Sequence, residues 1–356
     1  MTQRKKVIIT GACGLVGSAA VKHLSKEGFE IIGVDNDSRK MMFGDHASTA
    51  GVGIKLQEEF PNFKLLSADI RDFGEIKAIF EEHSDADLIY HLAAAPAHEW
   101  ATVNTMQDFY INAVGAMNML ENFRQYTPDA VFIQCSTSKV YGDIVNESYY
   151  RKLPTRFDMP EGQKFYDGFD ESIGGIDNKL RSLFGASKAC GDIMANEYGK
   201  YLDLKVAIFR PPCITGSLHK GDKLHGFLAY LAKCIATGDK YIVNGYEGLQ
   251  TRDNIHADDL VSAFYEIYKD PTHSYGEAYN LGAGRLGMIS MNEAITEFER
   301  ILEKKGNIEY SEITRKGDHI CDTFSTKKFR NKYPDWHITY PIGKLMEEIC
   351  EQYKTT

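Results

Sequence analysis

The sequence predicts an α/β protein built on a doubly wound parallel sheet with a smaller C-terminal lobe. Two observations predict it. Short apolar runs alternate with helical patterns through the first half of the chain, the signature of parallel βαβ units. A glycine-spaced turn, Thr10-Gly11-Ala12-Cys13-Gly14-Leu15-Val16-Gly17, joins the first apolar run to the first helical pattern. With 356 residues and 43% hydrophobic content, the chain can bury a large core in one domain or in two fused lobes.

The elements follow in order. Val7-Ile8-Ile9 reads as a buried strand, and Leu15 to Lys26 as a helix with apolar Val16, Ala19, Ala20 and Leu24. Ile31-Ile32-Gly33-Val34 is the second strand, Phe63-Lys64-Leu65-Leu66 the third and Leu88-Ile89-Tyr90-His91 the fourth. One helix is expected from about Met106 to Gln125, then a fifth strand at Val131-Phe132-Ile133. A helix carrying Phe184 and Lys188 feeds the strand Val206-Ala207-Ile208-Phe209. Between them Gly142 to Arg181, rich in Gly, Asp, Pro and Tyr, reads as an excursion over the sheet. A loop of that length is usually functional. After Arg210 the alternation loosens, which divides the chain into a first domain at 1–210 and a lobe at 211–356, with segments near 255–285 returning to the core.

The formal net charge of −9 argues against nucleic acid as main partner, since neutralising phosphates needs basic surface. It leaves room for an anionic nucleotide held by local arginines and helix N-termini. No run of 18 apolar residues occurs, so no membrane span is expected. The first apolar run is too short for a signal segment, which predicts a cytoplasmic protein. The seven cysteines are scattered without a C-x-x-C pair, which predicts reduced thiols, mostly in the core, and no structural zinc.

In the glycine turn, Gly11 fits a tight turn, Gly14 a close approach of backbone to a pyrophosphate, and Gly17 the packing of helix on strand. Leu15 and Val16 open the helix, whose N-terminal N–H groups favour an anion. Asp35, followed by Asn36, ends the second strand 18 residues after Gly17. A carboxylate there can accept both hydroxyls of an adenosine ribose and repels a 2′-phosphate, favouring NAD over NADP. Arg39 nearby is the counter-indication, and a plain turn at Asp35 is the alternative.

These features, with Asp69-Ile70-Arg71-Asp72, His91-Leu92-Ala93-Ala94, Ser136-Thr137-Ser138-Lys139-Val140-Tyr141-Gly142 and Phe184-x-x-x-Lys188, resemble the extended short-chain dehydrogenase/reductases. These are the NAD-dependent sugar-nucleotide epimerases and dehydratases of carbohydrate biosynthesis. The resemblance runs from about Val7 to Leu281 and implies a Rossmann-type NAD-binding domain, a nucleoside-diphosphate sugar as substrate, and no metal. It implies that Asp69 and Ile70 flank the adenine and that Leu92, Ala93 and Ala94 pass under the cofactor. It sets Thr137 at the catalytic Ser/Thr, Lys188 at the lysine that holds the nicotinamide ribose, and Pro211 near the nicotinamide amide. Ser138, His98, Cys213, Leu224 and Arg252 fall on the substrate side.

One residue departs from that pattern. Residues i and i+4 share a helix face, and a lysine one turn from a tyrosine favours its phenolate. Phe184 stands where the resemblance expects that tyrosine. Losing a general base costs about 10²–10⁴ in rate, or roughly 3–5.5 kcal/mol of barrier. Three explanations stay open. A Tyr→Phe replacement could hold substrate and cofactor without turnover, and the retention of Thr137, Lys188 and Asp35 favours this. Another group, His98 or Glu99, could take the proton. The chain could also bind without catalysing.

Ser138-Lys139 follow Thr137 where the dehydratases carry Asp-Glu, so a 4,6-dehydratase is disfavoured. The run Lys139 to Asp143, Gly168 to Ser172, Leu224 to Leu228 and Gln250 to His256 are most similar to the CDP-tyvelose 2-epimerase branch, which implies an isomerase acting at C2. A 4-epimerase and a silent sugar-nucleotide-binding protein are the alternatives. In that pattern Arg252 reaches the nucleotide diphosphate; otherwise it pairs with Asp253 or Asp258. Cys213 falls where many relatives carry Asn or Ser. The resemblance also implies a homodimer through a four-helix bundle, with Ala113, Met117 and Leu120 on one helix and Met194 and Tyr198 on the other.

Overall fold

Seven strands make the central sheet: β1 (Lys6–Thr10), β2 (Glu30–Val34), β3 (Phe63–Leu66), β4 (Leu88–His91), β5 (Val131–Cys135), β6 (Val206–Arg210) and β7 (Glu277–Asn280). Their order is β7-β6-β5-β4-β1-β2-β3, and the registered pairs from β3 to β6 are parallel. The computed structural model describes residues 5–95, 97–174, 179–216, 219, 226–314 and 316–354. Strands covered on both faces must be apolar throughout, and Val7, Ile8, Ile9, Leu88, Ile89 and Tyr90 are fully buried. The strand order reverses between β1 and β4, which makes a crevice at their C-terminal ends, where ligands of open α/β sheets bind.

Helices flank the strands: α1 (Leu15–Lys26), α2 (Phe73–Glu82), α3 (Gly115–Tyr126) and α4 (Ser182–Lys200). Asp72 caps α2, its carboxylate accepting from the N–H groups of Gly74 and Glu75, an arrangement worth about 1 kcal/mol. The single helix expected from Met106 to Gln125 is broken. A short α-helix (Thr105–Phe109) runs into a π-helical turn (Tyr110–Val114) before α3 begins. At that wide turn Asn112 is buried and hydrogen-bonded to groups on other elements. Periodicity carries no sign of such bonds.

The chain forms two units: residues 1–140, 183–210 and 260–279, and residues 141–182, 211–259 and 280–356. The stretch 141–182, expected with the first domain, clusters with the second unit. The returning segment is 260–279 rather than 255–285. The first unit packs around Ile8, Ile32, Phe80, Ile89, Phe123, Phe132, Val206 and Ile208, each large side chain contributing roughly 1.5–3 kcal/mol of burial. Ala113, Leu120 and Tyr198, expected on a surface between copies, are buried within this unit, and Met117 and Met194 pack against the same core. Five of the seven cysteines are buried; Cys190 is exposed and Cys213 half-buried.

In the second unit the strand Thr251–His256 takes Cys213–Thr215 and Cys321–Asp322 as parallel neighbours and Met288–Ser290 as an antiparallel one. The helices Phe227–Thr237, Met291–Leu302 and Ile342–Glu351 enclose Leu231, Ile235, Phe298, Leu345 and Ile349. Ser290 and Glu293 form a reciprocal capping box at the start of the second of these. Among the described residues no helix is long and apolar enough to cross a membrane.

At the crevice end of the sheet, Thr10 faces His91 in register. The Thr10 hydroxyl bonds His91 Nδ1 at 2.8 Å and accepts the N–H groups of Leu92 and Ala93. Burial, with the Lys188 ammonium nearby, pushes the imidazole of His91 from 6.5 down to about 3. An unfolded chain gains a proton at His91 below pH 6.5 that the folded chain refuses, so stability is complete above that pH and falls between about 6.5 and 3. The slope expected from this one group approaches 1.4 kcal/mol per pH unit. Urea unfolding of the protein and of His91→Gln across this range checks it, the variant showing the shallower decline.

Candidate active site

The residues singled out in the first unit converge on the C-terminal ends of its strands. At the end of β1, Gly11 has φ +67°, a left-handed conformation open to glycine at low cost. Its N–H donates to Val34 O at 2.8 Å and its carbonyl accepts Gly14 N at 3.0 Å. A Cβ on Gly17 would lie 2.0 Å from Gly11 O and 2.7 Å from Ala12 Cα, so no other residue lets α1 close on the turn. Gly14 caps α1 without a side-chain hydrogen bond, leaving the first N–H groups at Leu15, Val16 and Gly17 for an anion.

Asp35 follows β2, and its carboxylate accepts Cys13 N and Asp37 N, both at 2.9 Å. Each oxygen keeps a second lone pair. Burial raises this carboxyl above the usual range, against these two donors and the Thr49 hydroxyl. Asn36 donates to Asp69 Oδ2 at 3.1 Å, and Arg71 binds the same carboxylate through Nε and Nη2. That guanidinium holds the Asp69 carboxyl below its ordinary value. Ile70 is buried against Gly115, where a Cβ would come within 2.6 Å of it. Leu92, Ala93 and Ala94 run on from β4 half-buried.

Thr137, also half-buried, stands two residues beyond β5, its hydroxyl taking Lys139 N at 3.3 Å. Ser138 is buried. On α4, Lys188 Nζ donates to Cys135 O at 2.7 Å. Burial pulls this ammonium down, and the nearby Asp192 and Asp108 push back. Phe184, 7% exposed, lies one turn earlier on the helix, and its ring centroid is 4.9 Å from that of His98. The structure thus brings His98, Phe184, Lys188 and the end of β5 into one neighbourhood.

A polar cluster that sequence reasoning missed supports it. Asn112 exchanges two hydrogen bonds with the backbone of Ala95, and its Nδ2 also lies 3.1 Å from both Asp108 Oδ1 and Ser187 Oγ, which share its second hydrogen. Ser187 Oγ in turn donates to Asp108 Oδ2 at 2.5 Å, and burial raises the Asp108 carboxyl. The available signal was the polar pair Asp108 and Asn112 at i,i+4, set among apolar residues.

Pro211, Cys213 and Arg252 belong to the second unit, and Leu224 lies outside the described residues. Cys213 pairs with Asn254 in the register of its strand. Arg252 bonds neither Asp253 nor Asp258. Its Nη2 donates to Asp318 Oδ1 at 2.6 Å and its Nη1 to the carbonyls of Thr251 and His319. Successive side chains on a strand point to opposite faces, so Asp253 turns away and accepts the N–H groups of Ala283, Gly284 and Phe324.

Comparison with known proteins agrees with this architecture. The chain is 28% identical over 340 residues to CDP-paratose 2-epimerase of Salmonella typhi, covering 93% of this chain and 94% of that protein. It is 26% identical over 336 residues to UDP-glucuronate 4-epimerase of Thermodesulfobacterium geofontis, covering 93% and 92%. The structure of Thermus thermophilus UDP-glucose 4-epimerase in complex with NAD superposes with a TM-score of 0.76 at 22% identity, over 98% of this chain and 99% of that one. Residues 7–282 match the model of one family, and the chain belongs to the NAD dependent epimerase/dehydratase family.

Proposed function

We propose that this protein epimerises the C2 carbon of a nucleoside-diphosphate hexose, with NAD as a resident cofactor. The observation that carries the reading is the likeness, over nearly the whole chain, to a CDP-paratose 2-epimerase. The residues fit NAD. Gly11 and Gly17 leave space that a Cβ would fill with backbone clashes, the start of α1 has no side-chain cap, and Asp35 retains acceptor capacity. In this reading Gly11, Gly14, Leu15, Val16 and Gly17 hold the pyrophosphate, Asp35 and Asn36 the adenosine ribose, Asp69 and Ile70 the adenine. Leu92 to Ala94 pass under the cofactor, and Pro211 sits near the nicotinamide amide.

When bound, NAD supplies a two-electron acceptor that gives the electrons back, leaving no net redox change. The chain's own groups do the rest. Thr137 Oγ1 donates a hydrogen bond to the sugar oxygen that becomes a carbonyl. Lys188, fixed by Cys135 O, supplies positive field and holds the nicotinamide ribose. Ser138, Cys213, Leu224 and Arg252 serve the sugar nucleotide; the grip of Asp318 on Arg252 leaves its Nε–H and one Nη2–H for phosphate oxygens. Phe184 fills the volume of a phenol and carries no proton.

The 4-epimerase relative makes oxidation at C4 the second reading. Deuterium at C2 of the substrate is expected to slow interconversion several-fold, and deuterium at C4 to leave it unchanged. The reverse pattern assigns the chain to C4. For the cofactor, Asp35→Ala is expected to weaken NAD by at least tenfold and NADP little, read by fluorescence titration. Equal affinity of the unaltered chain for both would remove the assignment to Asp35.

We also infer a homodimer through the helices around α3 and α4. Met106, Phe109, Tyr110, Leu183 and Ile193 stay exposed there, an apolar set suited to an isologous contact. Sedimentation at micromolar concentration should give twice the 40.1 kDa chain mass; a 40.1 kDa species would exclude the dimer.

A further inference from the structure

We propose that His98 is the catalytic proton carrier of this site, taking the role that Phe184 cannot fill. The inference rests on the epimerase reading above and concerns which atom moves the proton.

The geometry narrows the choice. Oxidation of a carbinol needs a base at the hydroxyl on the same side as Thr137 and Lys188. On α4 the position one turn before Lys188 faces that place, and Phe184 offers only carbon there. The ring in contact with Phe184 is the His98 imidazole, at 4.9 Å between centroids and tilted by 51°. An imidazole takes and returns a proton near neutral pH, the property that a benzyl ring lacks. Half-buried His98 keeps access to a ligand.

The polar cluster around Asn112 anchors backbone on both sides of this contact. His98 lies three residues beyond Ala95, whose N–H and C=O are both held by the Asn112 side chain. The same amide reaches Ser187 Oγ, which stands 3.0 Å from Phe184 O. Ser187 is the neighbour of Lys188. One buried amide therefore ties Ala95, three residues before His98, to the turn of α4 carrying Phe184 and Lys188. A catalytic group needs this second layer of support to hold its position. A histidine filling space beside a phenylalanine needs none.

The step balances. The sugar O–H gives its proton to an imidazole nitrogen, and the pair of that bond becomes the second bond of the carbonyl. The hydrogen and electron pair of the carbinol C–H bond pass to the nicotinamide oxidant. On return, the imidazolium gives its proton back to the sugar oxygen.

The test uses the full chain loaded with NAD, with CDP-paratose as probe and His98→Gln, His98→Ala and Phe184→Tyr as variants. The unaltered chain is expected to turn over. His98→Gln should lose about 10²–10⁴ in rate while calorimetry shows NAD and CDP-paratose binding within threefold of the unaltered chain. Free imidazole should restore part of the rate to His98→Ala, and Phe184→Tyr should lower activity by crowding the imidazole. A readout apart from turnover is the ¹⁵N-histidine spectrum: the resonance missing from His98→Gln should shift when CDP-paratose is added. Full activity in His98→Gln, or turnover that appears only in Phe184→Tyr, overturns the assignment and leaves the epimerase reading intact. No turnover in any form, with the sugar nucleotide unbound, overturns the epimerase reading and His98 with it.

Discussion

The missing side chain of Gly17 is the constraint on which the cofactor end of the first unit depends. The carbonyl of Gly11 occupies the space where a Cβ would project, so α1 lies against the turn that precedes it. This contact sets the direction of α1 and brings its uncapped first turn to the mouth of the crevice. Gly11, in the left-handed region, turns the chain sharply enough for Ala93 to pass beside it. Any larger residue at either position meets backbone, which has no rotamer with which to yield. The tight turn, the exposed N–H groups and the closeness of β4 are thus one packing solution.

A second set of constraints is polar. The π-helical turn before α3 lets Asn112 face inward, where its amide serves the loop after β4 and the start of α4 together. Such turns recur at functional sites because they re-aim a side chain without ending a helix. Removing any member of a buried network leaves its partners unsatisfied, at about 1–3 kcal/mol each. The cluster stabilises the unit and, with the same bonds, ties Ala95 to Ser187 on α4.

The sheet was legible in the sequence because buried parallel strands have no polar face to obscure. Val7-Ile8-Ile9 and Val206-Ala207-Ile208-Phe209 could be little else, and the glycine spacing located the crevice. What stayed hidden depended on partners far along the chain. Ala113, Leu120 and Tyr198 read as apolar helix positions, yet periodicity says that a face is buried and not what buries it. Arg252 was given neighbours by proximity in sequence, and the strand's alternation sent Asp253 to the other side while Asp318 supplied the carboxylate. The excursion 141–182 has no period of its own. Its anchors, such as Phe169 beside Phe324 and Tyr141 on Asn280, lie more than a hundred residues away. Phe184 was the exception, conspicuous because the residues around it obeyed the pattern it broke.

The interleaving of the two units bears on how the protein is made. The first unit draws on three separate stretches of chain, the last reaching residue 279. On a ribosome, β1 to β5 emerge early, with β5 lacking the neighbour that β6 will provide. The edge of β5 waits while 141–182, which belong elsewhere, are synthesised. Only with α4 and β6 is that edge covered, and β7 closes the sheet some seventy residues later. Unpaired strand edges in partly made chains invite association with other chains, so the interval before β6 emerges is the one in which nascent copies are most open to it. Lys188 arrives on α4 after the glycine turn has long been in place, so a chain stopped before α4 has the glycine turn without the lysine that faces the end of β5.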